Sequence, residues 1–241
     1  MSLLASFQKK SKLENAIRDV AKARKTDTDS ADAIYKNAYE TFAEVVRDDL
    51  TRAQALYNWG AGLFYQAKNK QGDEAVKAFQ DAIKKFEFCS LIQPSYLAAA
   101  IDGGVCFMEL ARLKCAETND ELYNQAKLRF EQANGIQVAS ASYNLACIYG
   151  LRGDHEACLK ALQEAKDKAS LPDVAEILGD PDIACIKDEA WFLEFIESLT
   201  KQPEPELIEN SEENISPEQT DQDNQETVTK SAPETSETPS A

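Results

Sequence analysis

Apolar residues along this chain recur at intervals of three and four, and no stretch sustains apolar/polar alternation, so the pattern predicts helices throughout. Three stretches are more particular: Ala75-x3-Phe79-x2-Ala82, Ala126-x3-Phe130-x2-Ala133 and the looser Cys158-x3-Leu162-x2-Ala165. Small, large and small side chains at i, i+4 and i+7 share one helical face. The small ends let a second helix come close, and the bulky centre fills the gap. Ala38-x3-Phe42-x2-Val45 has the same register. Such recurrence predicts one kind of helix packing used repeatedly.

The same periodicity, read with end signals, predicts helices over 3–25, 31–49, 51–67, 73–92, Pro94 to Leu113, 121–134, 139–151 and 155–169. Pro94 suits a first helical turn, Thr118-Asn119-Asp120 an N-cap, and Asn134-Gly135 a C-cap. Gly60 and Gly62 fall inside a predicted helix, where each costs roughly 1 kcal/mol relative to Ala. Close approach of another helix explains that cost. A phosphate-binding glycine loop does not, because no strand precedes it. Beyond Pro172, Gly179-Asp180-Pro181-Asp182 reads as a C-cap glycine, an N-cap aspartate and a proline at N1. The apolar residues after it, Ile183 and Ile186 through Trp191-Phe192 to Leu199, are expected to cover the end of a stacked array.

Composition narrows the class further. The formal charge of −16 is concentrated at the end, where residues 201–241 hold 11 acidic residues against 2 basic ones. That acidity argues against nucleic-acid partners, whose phosphates are met by Lys and Arg. Residues 201–241 have so few large aliphatics that a disordered acidic tail is expected. No apolar window spans a membrane. Met1 to Phe7 lacks the charged start of a secretory signal, and six cysteines without a C-x-x-C pair suit a reducing, cytoplasmic setting. The first helix is locally basic, from Lys9, Lys10 and Lys12 to Lys25, and could lie on an anionic membrane. Glu14 and Asp19 dilute that face, so a solvated terminal helix is the preferred reading.

The helix pairs resemble tetratricopeptide repeats. Leu56, Trp59, Gly60 and Leu63 with Ala75, Phe79 and Ala82 look like one repeat. Gly104 and Phe107 with Ala126, Phe130 and Ala133 look like a second, and Leu145, Ala146 and Tyr149 with Cys158, Leu162 and Ala165 like a third. The spacing between small residues of paired helices departs from the family's 12 positions in two pairs, fifteen from 60 to 75 and twenty-two from 104 to 126, and matches it from 146 to 158. The resemblance implies an all-α, short right-handed solenoid of three to four irregular helix pairs. Residues 1–29 would be a basic helix starting a divergent first repeat, 30–170 the repeats, 171–200 the capping helices and 201–241 the tail.

The family's geometry implies a groove lined by the first helix of each pair. Carried over by position, it holds Tyr57, Asn58, Ala61, Phe64 and Tyr65, then Ile101, Asp102, Val105 and Met108, then Tyr143, Asn144 and Cys147. Asn58 and Asn144 occupy equivalent places and could bond a partner's backbone with both donor and acceptor. The basic residues of the family's carboxylate clamp are absent, so the expected partner is an apolar or mildly basic peptide or helix. No nucleophile, P-loop or metal spacing surrounds the single histidine, His155, so no catalysis, metal or cofactor is expected. The sequence therefore predicts a non-catalytic interaction scaffold. A membrane-associated assembly factor using the basic first helix is the alternative.

Overall fold

A computed structural model describes residues 3–48 and 52–200, with the side chains of 3–9, 28, 29 and 48 outside that description. The expected tail, 201–241, lies outside the described residues. Within them the protein is all-helical: α1 (Leu3–Ala23), α2 (Thr28–Asp48), α3 (Arg52–Lys68), α4 (Gly72–Ile92), α5 (Leu97–Leu113), α6 (Glu121–Ile136), α7 (Ser142–Leu151), α8 (His155–Asp167), α9 (Val174–Gly179) and α10 (Ala190–Thr200). A 3-10 turn, Pro181–Ile183, separates the last two. Each helix packs on its sequence neighbours from α1 to α8, and the first members of successive pairs also touch, α1 on α3 and α3 on α5.

Aspartates start several helices. Asp120 accepts the Leu122 amide at 2.8 Å, Asp154 the Ala157 amide at 3.1 Å and Asp180 the Asp182 amide at 2.9 Å. Each satisfies a first-turn N–H that has no helical acceptor. Two expected ends move. Pro94 lies in a turn and α5 begins only at Leu97, since the Tyr96 amide is spent on the Gln93 carbonyl. Asn134-Gly135 does not end α6, which runs to Ile136. Asn134 instead accepts the Ala141 amide and donates to the Ser142 hydroxyl, fixing the next helix's start.

Packing corrects the assignment of equivalent triplets. A Cβ on Gly104 would stand 2.5 Å from the Phe130 ring, and one on Gly60 would stand 2.8 Å from Phe86, not Phe79. The triplet of α4 that matches Ala126-Phe130-Ala133 is therefore Ala82-Phe86-Cys89. With that register the chain repeats every 44 residues across three pairs: Ala16, Gly60 and Gly104; Tyr35, Phe79 and Tyr123; Phe42, Phe86 and Phe130. Ala38, Ala82 and Ala126 follow the same interval, as do Ala23, Ala67 and Ala111. All of these residues are buried. The fourth pair is shorter. α7 has 10 residues where α3 and α5 have 17.

The segment after α9 fills the space that the short α7 leaves. Ile177, Ile183 and Ile186 are buried, and the Ile186 side chain lies against Gly150. Asp182 receives Arg112 from the last turn of α5 at 2.7 Å, and Asp180 accepts the Tyr143 hydroxyl at 2.9 Å. α10 adds Phe192 and Phe195 to the core, while Trp191 meets His155 with ring centroids 5.6 Å apart.

Candidate functional site

Six of the residues expected to line a groove converge, Ala61 of α3 together with five larger ones. Tyr57, Asn58, Phe64 and Tyr65 of α3 and Asp102 of α5 line a cleft of about 230 Å³. The opposite wall is α1, through Ile17, Val20, Ala21 and Arg24, which the sequence reading left out. The 44-residue register shows why α1 belongs there. Ile17, Ala61 and Val105 are one position in three successive pairs, and so are Val20, Phe64 and Met108.

The floor of the cleft is held from behind. The Tyr57 ring packs at a tilt against Tyr96 and Phe86, with centroids 5.0 and 5.9 Å away, and its hydroxyl donates to Asp102 Oδ2 at 3.0 Å. Burial pushes the Asp102 carboxyl above the ordinary carboxylate value, while the Tyr57 hydroxyl opposes that shift. Burial first, and then the Asp102 charge, raise the Tyr57 phenol. Asp102 is thus spoken for within the cleft, which weakens it as an anchor for an incoming cation. Asn58 donates to the Gln54 carbonyl at 2.8 Å, one turn back. That bond leaves its carbonyl oxygen as the acceptor it can offer.

One cation enters the cleft. The Arg24 guanidinium lies 3.5 Å from the Tyr65 ring centroid, a stacked cation–π contact. Its counterparts one and two periods on are Lys68 and Arg112. Lys68 reaches Glu109 at 3.5 Å, and Arg112 reaches Glu109 at 3.0 Å and Asp182 at 2.7 Å. Arg24 meets Tyr65 and Lys68 meets Glu109, each 41 residues further along. For Arg112, α7 has already ended, and the closing segment supplies the acceptor.

The remaining expected residues lie elsewhere. Met108 is 3% exposed and Tyr143 is 9% exposed, so neither side chain is open to a ligand. Tyr143 is covered by the closing segment through its bond to Asp180, and Cys147 is buried beside it. Asn144 is half-buried on α7, and Ile101 and Val105 are half-buried on α5; none of the three lines the cleft. Four of the six cysteines are buried, and burial raises their thiols, Cys89 to about 11 and Cys158 to about 12. Such thiols stay protonated and inert at neutral pH.

Fold and cleft together define an all-helical protein with a recurrent pair of helices and an aromatic-lined cleft across the first helix of two pairs. No protein-family model matches the chain, and no curated protein is similar to it in sequence. Among the described residues, no helix is long and apolar enough to cross a membrane.

Proposed function

We propose that this chain is a tetratricopeptide-like helical solenoid acting as a non-catalytic cytoplasmic scaffold. It recruits a protein partner by seating a peptide or helix in the cleft between α1 and α3. The observation that carries the reading is the convergence of Tyr57, Asn58, Phe64, Tyr65 and Asp102 on one cleft, opposite Arg24. An aromatic wall with few, oriented polar groups binds apolar side chains and fixes their register. The 44-residue recurrence of buried small and aromatic positions supports a repeat architecture, since each pair buries its apolar face only against its neighbours.

Lipid attachment through α1 fits less well. Leu13, Ala16, Val20 and Ala23 are buried against the rest of the protein, so the described apolar stripe is already used. Among the described residues of α1, membrane contact would then rest on charge. The scaffold reading is tested by affinity capture with wild type beside Asn58→Ala/Phe64→Ser and, as a control, Asn144→Ala. Loss of partners in the double substitution with retention in Asn144→Ala is expected. Equal recovery by all three proteins would overturn it.

A further inference from the structure

The chain already places one of its own segments on the face proposed to hold a partner, and that segment shows what chemistry the face accepts. On α7 and the last turn of α5, the occupant is Asp180-Pro181-Asp182-Ile183. Its first carboxylate takes the Tyr143 hydroxyl, its second takes Arg112, and Ile183 is buried. The open cleft repeats part of the donor side of this arrangement. Arg24 stands where Arg112 stands, two 44-residue periods earlier. Tyr57 stands where Tyr143 stands, in the register that sets Ala146 in the place of Gly104, but its hydroxyl already donates to Asp102, so Arg24 alone is left for a guest carboxylate.

The two sites differ in what neutralises the cation. Arg112 has Glu109 and Asp182, and Lys68 has Glu109. Among the described residues Arg24 forms no ion pair; it is exposed and lies flat on Tyr65. A guanidinium stacked in this way keeps its in-plane N–H donors turned outward, oriented for a carboxylate. Beside it, the half-buried Ile17, Ala61 and Phe64 offer an apolar surface, as α7 does to Ile183 and Ile186.

We infer that the α1–α3 cleft is selective for an acidic–aliphatic segment of a protein partner, with a carboxylate received by Arg24 and aliphatic side chains seated against Phe64 and Ala61. This rests on the scaffold reading above, and it replaces a mildly basic guest with an acidic one. Asp102 shares the cleft, but its carboxylate already accepts the Tyr57 hydroxyl, and the guest's carboxylate is assigned to Arg24.

The test uses the full chain and fluorescent peptides of residues 177–186, Cys185→Ser throughout, read by anisotropy. One peptide keeps both aspartates, one carries Asp180→Asn/Asp182→Asn, and one carries Asp180→Lys/Asp182→Lys. Wild type should bind the acidic peptide about tenfold more tightly than the neutral one, the value of one charge-assisted contact. Arg24→Glu should abolish that preference and favour the lysine peptide instead, a reversal that unfolding cannot produce. Equal binding of all three, lost with Phe64→Ser, overturns the acidic preference and leaves the cleft reading standing. An unchanged preference in Arg24→Glu overturns the assignment to Arg24. Failure of every peptide to bind overturns the inference, while partner capture by Asn58→Ala/Phe64→Ser judges the cleft separately.

Discussion

At the scale of single residues, glycines of this chain have opposite duties, and only the structure separates them. A Cβ on Gly104 would sit within 2.8 Å of three Phe130 ring atoms, whereas a Cβ on the helical Gly135 would meet nothing within 4 Å. Ala at a helical glycine gains up to about 1 kcal/mol of propensity, and overpacking costs about 1–3 kcal/mol. Urea unfolding should therefore find Gly104→Ala destabilised and Gly135→Ala stabilised by up to about 1 kcal/mol. The sequence suggested that another backbone closes on Gly60 and Gly62, but the atoms that meet them belong to side chains, chiefly the Phe86 and Tyr39 rings. It could not show that Gly135 is free, because an Asn-Gly pair signals a helix end wherever no tertiary contact extends the helix. A titration at Asp102 belongs to this scale too. Burial raises its folded-state value above that of the unfolded chain, so the native state binds more protons from about pH 4 up to that raised value, and stability falls as pH rises through this window. Asp102→Asn keeps an acceptor for Tyr57 and removes the buried charge. It should be at least as stable as wild type at pH 7, with the difference vanishing below about pH 4. A loss of stability at pH 7 would contradict this account.

At the scale of elements, the repeating unit is a pair of helices whose second member sets one phenylalanine on a small residue of the first. Phe42, Phe86 and Phe130 occupy the same position and are each no more than 1% exposed. Truncating any of them to Ala should cost about 3–5 kcal/mol, and the three costs should resemble one another more than they resemble that of a half-buried neighbour such as Phe64. The small–large–small pattern was legible in the sequence, and so was the family of helices that carries it. Which triplet of α4 was equivalent was not. Ala75-Phe79-Ala82 and Ala82-Phe86-Cys89 overlap on one helix, both satisfy the spacing, and both are buried. Periodicity identifies an inward face, but the partner helix chooses the register. The irregular spacing of fifteen from 60 to 75 disappears once Phe86 is matched to Phe130, and twenty-two separates each pair of small residues from 16–38 to 104–126. With that register in hand α1 would have been recognised as a cleft wall; reading it as a solvated terminal helix of a divergent first repeat hid Arg24.

At the scale of the whole molecule, the closing segment explains why the expected binding face is only partly open. α7 is too short to complete the face, and Asp180, Asp182 and their neighbouring isoleucines complete it, covering Tyr143 and Cys147. Tyr143 looks like a ligand position from sequence because nothing in the chain announces that a segment more than thirty residues later will return to it. Asp182 is largely buried, with Arg112 as its counter-ion. Arg112→Met leaves that carboxylate without a partner, whereas Arg112→Met/Asp182→Asn leaves no buried charge. The single substitution should destabilise by about 2–4 kcal/mol and speed amide exchange over 177–192. The double substitution should recover part of that loss. If instead the single substitution leaves exchange unchanged, the closing segment is not held by this pair.

The claim on which the account turns is that partners are read by the cleft between α1 and α3 and not by the outer helices. A photo-crosslinking side chain placed at Phe64 reports on it directly, with the same side chain at the exposed Gln80 of α4 as the comparison. The account predicts a partner adduct from position 64, diminished by Arg24→Glu, and none from position 80. An equal adduct from position 80, or none from position 64 while the partner still binds, would contradict it.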